Sequence, residues 1–105
     1  MGLKVLWTDF AEQMIAKIFR YYLDHSNLRV ARSLTDSIID ESYKLSSQPQ
    51  IGQIEIGLED RSKQYRYLIY KNFKIVYWIN SELNQVEIVD VFDARQNPDK
   101  LSRNK

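Results

Sequence analysis

The stretch YRYLIYKNFKIVYWINSELNQVEIVDVF, from Tyr65 to Phe92, decides the fold class. Two sets of side chains alternate along residues 65–70 and again along 73–79, and a period of two is typical of β-strands. A third run of strand-forming residues, 86–92, follows the polar loop 81–85. The pattern therefore predicts three consecutive antiparallel strands.

The loop between the first two strands decides which residues share a face of the sheet. A two-residue loop, Lys71-Asn72, would put Arg66 and Lys74 on opposite faces, whereas a three-residue loop would put them together. We expect the three-residue loop with Asn72 in the left-handed conformation, which Asn tolerates. The face toward the rest of the protein would then carry Tyr65, Tyr67, Ile69, Phe73, Ile75, Tyr77 and Ile79. The other face would carry Arg66, Leu68, Tyr70, Lys74, Val76 and Trp78.

Upstream of these strands the hydrophobic period changes to that of helices. The short apolar run 4–8 is rich in strand formers and predicts a first strand. Apolar residues at helical spacing predict a helix from Asp9 to about Asp24, in which Asp9 and Glu12 have the spacing of a capping box. A second helical pattern follows the polar break 25–27, and so short a break implies an antiparallel helix pair.

The second helix is expected to end at Ser46-Ser47-Gln48-Pro49, because proline disfavours the helical conformation of the residue before it. Beyond it, residues 50–63 predict a loop, with at most a short extended piece around Ile54 and Ile56. The order of elements predicts an α+β fold: a strand, an antiparallel helix pair, then a three-stranded antiparallel meander, with the helices packed on one sheet face. The expected core contains Phe10, Met14, Ile18, Leu34, Ile38, Ile69, Ile75 and Tyr77.

Length and composition limit the classes of protein to consider. With 105 residues, 44% of them hydrophobic, the chain predicts a single domain over 1–105, in which 97–105 forms a flexible tail. The absence of Cys and the single histidine, His25, exclude thiolate and multi-histidine metal sites, and we expect no cofactor. No apolar stretch approaches the roughly 20 residues that span a bilayer, so we expect a cytoplasmic protein without membrane contact.

Charge is segregated along the second half of the chain. Basic residues without an intervening acid occupy 61–74, acids without a base occupy 82–93, and the segment from Arg95 is basic again. A cationic hairpin with interleaved Tyr and Trp can bind phosphates and stack bases. The alternative, which the charges alone leave open, is a solvated strand face followed by an ordinary tail.

The order and spacing of several motifs resemble the RelE/ParE toxins of bacterial type II toxin–antitoxin systems. The motifs are Val5-Leu6-Trp7-Thr8, the region 48–52, Tyr65-Arg66-Tyr67-Leu68-Ile69-Tyr70, Phe73-Lys74-Ile75-Val76-Tyr77 and the segment 89–98. The resemblance implies a small toxin of a plasmid stabilisation system. It also implies a cognate antitoxin, whose flexible C-terminal segment wraps the toxin and keeps it inactive.

Two activities are implied by the resemblance, since RelE-like members cleave mRNA on the ribosome and ParE-like members inhibit DNA gyrase. Arg66, Lys74 and Arg95 fall where RelE-like toxins carry basic catalytic residues. However, Leu68 stands where a further strand cation is expected, and Leu101 stands roughly where such enzymes can use a tyrosine. The missing acid and base favour the ParE-like activity over an mRNA interferase, and a third alternative is a non-toxic module that only binds the antitoxin.

Tyr70 and Trp78 are the residues that we expect to anchor a partner, because aromatic side chains dominate binding hot spots. The expected partners are the cognate antitoxin and one target, either DNA gyrase or the ribosome with its mRNA. Without the antitoxin, we expect the exposed surface to support a homodimer.

Overall fold

The structure is a computed structural model that describes residues 2–56 and 63–95. Its elements are β1 (Lys4–Trp7), α1 (Asp9–His25), α2 (Leu28–Tyr43), a 3-10 turn (Lys44–Ser46), β2 (Gln53–Ile54), β3 (Tyr65–Tyr70), β4 (Phe73–Asn80) and β5 (Gln85–Asp93). Arg61 and the expected tail 97–105 lie outside the described residues. No helix in 2–56 or 63–95 is long and apolar enough to cross a membrane.

The strands form one five-stranded sheet in the order β1-β5-β4-β3-β2. β3, β4 and β5 are the predicted antiparallel meander, and the two-residue β2 adds to its edge beside β3. β1 pairs with β5 in parallel, with Lys4 opposite Gln85. Both helices pack against one face of the sheet, which confirms the α+β prediction.

Side chains at the helix starts set the two helix boundaries. The hydroxyl of Thr8 accepts a hydrogen bond of 3.2 Å from the backbone N–H of Ala11, so Thr8 caps α1. The predicted capping box is therefore wrong, and Asp9 and Glu12 instead lie in the first turn, where acids favour the positive end of the helix dipole. Asn27 caps α2 in the same way, through a bond of 2.9 Å from Val30 N–H.

The hairpin between β3 and β4 has a two-residue loop, which corrects the predicted three-residue loop. Tyr70 pairs with Phe73, so that only Lys71 and Asn72 connect the strands. Lys71, not Asn72, has the positive φ, at 54°. Because a register shift of one residue moves a strand's side chains to the other face, Arg66 and Lys74 lie on opposite sides of the sheet.

The corrected register changes the predicted core. Ile38, Ile75 and Tyr77 are fully buried, and Met14, Ile18 and Leu34 pack against the same cluster. Ile69, however, is 52% exposed because β3 turns Leu68 and Tyr70 toward the helices instead. Phe10 is 37% exposed, since the inward stripe of α1 begins at the fully buried Ala11.

A bulge in β5 explains how one strand contributes to the core over an irregular spacing. Val76 pairs with Asp90 and Tyr77 pairs with Ile88, which leaves Val89 as the extra residue. Ile88 and Val91 therefore both reach the helix-facing core, although they are three residues apart. Asp90 and Phe92 belong to the opposite face of the sheet.

Candidate functional site

The sheet face away from the helices, here called the distal face, carries the chemistry-bearing side chains of the meander. The register assigns to it Tyr65, Tyr67, Ile69, Lys74, Val76, Trp78, Glu87, Asp90 and Phe92. Neither α1 nor α2 packs on it, yet Val76, Asp90 and Phe92 are buried. The distal face is therefore a partly covered surface that combines aromatic rings with charged groups.

Lys74 lies on the distal face near the start of the central strand β4 and is neutralised there by Glu55. Its ammonium lies 2.9 Å from a Glu55 carboxylate oxygen, with side-chain exposures of 17% and 7%. The same ammonium lies 4.1 Å from the centroid of the Tyr67 ring, within the range of a cation–π interaction. Backbone pairing positions Glu55, because its N–H donates to the Tyr65 carbonyl at 2.7 Å.

Trp78 and Glu87 form a second cluster on the distal face. The indole N–H of Trp78 donates to Glu87 at 3.0 Å, and the amides of Asn80 and Gln85 donate to the same carboxylate at 3.1 and 2.6 Å. Partial desolvation raises the pKa of Glu87, but these three hydrogen bonds and the charge of Lys63 outweigh it, so the pKa lies below its usual value. Lys63 also lies 5.0 Å above the indole ring.

Arg66 lies on the helix-facing side and stabilises the segment that leads into β2. Its guanidinium donates to the carbonyl of Gly52 at 3.0 Å. Next to it, the Tyr77 hydroxyl donates to the Pro49 carbonyl at 2.7 Å and accepts from Gly52 N–H at 2.9 Å. Burial raises the pKa of Tyr77, and the Gly52 hydrogen bond and the charge of Arg66 oppose this shift without cancelling it.

Arg95 follows the end of β5 and is held by its neighbour Asp93. Its Nε and Nη2 atoms donate to the Asp93 carboxylate at 3.2 and 3.0 Å. Hydrogen bonding and charge from Asp93 raise the pKa of Arg95, and Tyr22 and Tyr21 of α1 contribute smaller effects. The side chain remains 62% exposed, so its charge is available to solvent.

The structure does not bring these three cations together. Arg66 and Lys74 are on opposite faces of the sheet. Along β4, Arg66 pairs with Tyr77, whereas Asp93, two residues before Arg95, pairs with Phe73. Four residues of β4 separate those two positions, or roughly 13 Å along the strand.

The two expected anchors for a partner also lie on different faces. Trp78 is half-buried on the distal face, whereas Tyr70 packs against the edge of the helix-facing core with the Lys71 ammonium 5.7 Å from its ring. Their role in binding remains a prediction. No sequence pattern indicates a role for Glu55, because it lies in a stretch without a regular period.

Metal ligands do not gather anywhere in the described part of the chain. Residues 2–56 and 63–95 contain no group of three or more His, Asp or Glu side chains positioned to hold a metal ion.

Solved structures share this fold at low sequence identity. A chain of the chromosomal ParDE TA system from P. aeruginosa superposes with a TM-score of 0.71 at 14% identity, over 88% of this chain and 96% of that chain. A chain of the toxin-antitoxin complex RelBE2 from Mycobacterium tuberculosis gives 0.62 at 15% identity, over 89% and 99%. A mutant of the E. coli toxin RelE in the free state gives 0.65 at 13% identity, over 98% and 93%.

Sequence comparison identifies the family directly. No curated protein sequence matches this chain significantly. The family model of the ParE toxin of type II toxin-antitoxin system, parDE, matches residues 5–98, which include every helix and nearly the whole sheet. The chain therefore belongs to the ParE toxin family, within the RelE/ParE toxins of type II toxin–antitoxin systems.

Proposed function

We propose that this toxin is ParE-like: it binds DNA gyrase and inhibits it, and it does not cleave mRNA. The observation that carries the proposal is the separation of Arg66, Lys74 and Arg95. Cleavage of RNA needs cations that converge on one scissile phosphate, because each contributes only where negative charge develops. Two faces of the sheet and different levels of β4 separate these three side chains.

The partners of the three cations within the chain support the same conclusion. Arg66 donates to a backbone carbonyl, Lys74 is paired with buried Glu55, and Arg95 is held by Asp93. Each group therefore already has a structural partner that a scissile phosphate would have to replace. A gyrase inhibitor needs no such convergence, since it acts through a contact surface.

We also propose that a cognate antitoxin contacts both Trp78 and Tyr70. The ParDE and RelBE2 systems among the similar structures pair a toxin with an antitoxin, which supports such a partner. Because the two residues lie on opposite faces, a segment that reaches both must pass around an end or edge of the sheet. Trp78→Ala should weaken antitoxin binding, whereas Tyr43→Ala, which removes an exposed aromatic side chain from α2, should not.

The experiment that separates the activities measures RNA and gyrase in parallel. The protein is induced in cells, new RNA 5′ ends are mapped within minutes, and purified gyrase is assayed for supercoiling. We expect intact mRNA and inhibited gyrase, with DNA breaks or altered supercoiling in the cells. Both candidate targets are cytoplasmic, so the proposal assigns the toxin to that compartment.

Two other outcomes would contradict the proposal in different ways. Codon-phased mRNA cuts that disappear in Arg95→Ala would establish the ribosome-dependent nuclease. If the protein neither cuts RNA nor inhibits gyrase but still binds the antitoxin, it is a module that has lost its toxicity. Size measurements on the protein without antitoxin would show whether it forms the expected homodimer.

A further inference from the structure

A cavity of about 420 Å³ lies where the β3–β4 turn meets the helix pair. Its volume falls within the range of roughly 300–1,000 Å³ that is usual for sites of small molecules. It is on the helix-facing side of the sheet, away from the Lys74 and Trp78 clusters. None of the contacts used for the proposed function lies within it.

The inner surface of the cavity is apolar and partly aromatic. Phe73 of β4, Leu34 of α2 and Tyr22 of α1 contribute to it, and Val30 adds a further apolar side chain from the first turn of α2. Phe73 is buried, and Leu34 and Tyr22 are half-buried within the fold. These side chains form a surface on which the planar body of a ligand can pack.

Cations and neutral hydrogen-bonding groups complete the lining. Arg29 lies one and two helical turns before Ser33 and Ser37 on the same face of α2, and Lys71 and Asn72 come from the opposing turn. No Asp or Glu side chain is part of this lining. The combination therefore favours an anion over a cation or a neutral ligand.

The ion pair between Arg95 and Asp93 follows the end of β5, next to the turn that lines the cavity. The backbone N–H of Ala94 donates to the Asn72 carbonyl at 2.9 Å, which holds the chain next to the turn. Arg29 of α2 and Lys71 of the β3–β4 turn are therefore the two cations of the lining.

We propose that this cavity binds a small organic phosphate with a planar body, such as a nucleoside monophosphate. Arg29 and Lys71 bind the phosphate, since Arg offers a bidentate fork and Lys a compact charge. The hydroxyls of Ser33 and Ser37 donate further hydrogen bonds. The planar body packs on Tyr22 and Phe73.

The test is a titration of the purified full-length protein with adenosine monophosphate, followed by the NMR shifts of backbone amides. Shifts are expected at Ser33, Ser37 and Asn72, with a dissociation constant in the millimolar range or tighter. Adenosine and inorganic phosphate, each of which supplies one half of the ligand, should bind more weakly. Equal binding of adenosine monophosphate and inorganic phosphate, or no shift at these amides, would overturn the proposal.

Matched variants separate this site from general attraction of an anion to a basic surface. Arg29→Gln and Lys71→Gln should each weaken binding about tenfold, the effect of losing one charge-assisted hydrogen bond. Arg32→Gln removes the same charge one turn away, outside the cavity, and should leave affinity unchanged. An equal loss in all three variants would contradict a defined site.

A cavity-filling variant tests the apolar half of the site independently. Val30→Trp should abolish the preference for adenosine monophosphate over inorganic phosphate, because the added ring occupies the space of the planar body. Retention of that preference would overturn the assignment. These measurements use neither gyrase nor antitoxin, so their failure is distinct from failure of the proposed function.

Discussion

Lys74 and Glu55 form an ion pair of 2.9 Å that joins the second residue of β4 to the residue after β2, across the intervening β3. Both side chains are largely removed from water, and the ring of Tyr67 lies 4.1 Å from the Lys74 ammonium. Removing one partner of such a pair leaves a desolvated charge, which is costly, whereas replacing both by apolar groups is often tolerated.

The first prediction follows from this ion pair. Glu55→Ala should lower the free energy of unfolding by about 3 kcal/mol or more. Glu41→Ala removes the exposed pair with Lys44 in α2 and should cost below about 1 kcal/mol. Urea denaturation measures both values. The double variant Glu55→Met/Lys74→Met should be more stable than Glu55→Ala. Equally small losses of stability in Glu55→Ala and Glu41→Ala would contradict a buried ion pair at Lys74.

The second prediction tests the hairpin register with two isoleucines. Ile75 is fully buried and Ile69 is 52% exposed, although both lie in the same hairpin. Ile75→Ala should cost about 2–5 kcal/mol, and Ile69→Ala below about 1 kcal/mol. Thermal and urea unfolding of the two variants provide the comparison. Similar losses for both would favour the three-residue loop instead.

The third prediction concerns the close approach of Gly52 to Tyr77. A Cβ at residue 52 would lie 2.5 Å from the Tyr77 hydroxyl and 2.7 Å from the Tyr67 carbonyl oxygen. Gly52→Ala should therefore cost about 1–3 kcal/mol, and Tyr77→Phe a similar amount because Gly52 N–H loses its buried acceptor. The double variant should lose less than the sum of the two, since both changes disrupt one contact. Strict additivity in denaturation would argue against this coupling.

The fourth prediction is a loss of stability in alkali. Burial raises the pKa of Tyr77 above its ordinary value of 10.0, so the unfolded chain ionises first as pH increases. The unfolded state then binds fewer protons than the folded state, and stability falls above about pH 10. The Tyr77→Phe variant should be less stable than the parent protein at neutral pH. Its free energy of unfolding should, however, fall less as the pH rises, because it has no phenol to ionise at this position. Tyr43→Phe, at an exposed position, should follow the parent protein in the same urea titrations.

The fifth prediction concerns Arg95 in the toxin. The side chain is exposed and lies far along the sheet from Arg66, so its removal should not disrupt a cluster of catalytic cations. Arg95→Ala should change growth inhibition and gyrase inhibition by less than about threefold, as expected for an ordinary surface position. A fall in activity of about 10²–10³-fold, which is typical when a group that stabilises a transition state is removed, would contradict the gyrase proposal. Circular dichroism would verify that the variant folds.

The helices and the meander could be predicted because their hydrophobic period is visible locally. Ala11, Met14, Ile15 and Ile18 repeat at helical spacing and pack on the core as that spacing requires. The parallel pairing of β1 with β5 could not be derived in this way, because no short-range pattern relates Lys4 to Gln85. Its prediction would require knowledge of the whole topology.

The candidate site was harder to predict because it depends on the hairpin register. Asn72 has the better intrinsic preference for a left-handed conformation, yet Lys71 adopts it in the structure. Packing of Leu68 and Tyr70 of β3 against the helix-facing core outweighs that local preference. The resulting shift of one residue separates Arg66 from Lys74, and with them the cluster that the sequence predicted.

The parallel pairing of β1 with β5 also delays completion of the sheet during synthesis, because the two strands are far apart in the sequence. Within the described sheet β1 pairs only with β5, at residues 85–88, which are synthesised about 80 residues later. Until they leave the ribosome, β1 has no strand partner, and closing so long a loop makes this pairing a late step. A nascent chain that stops before β5 lacks the strand that joins β1 to β4. The five-stranded sheet is thus complete only after β5 is made, and β1 is among the last strands to be paired.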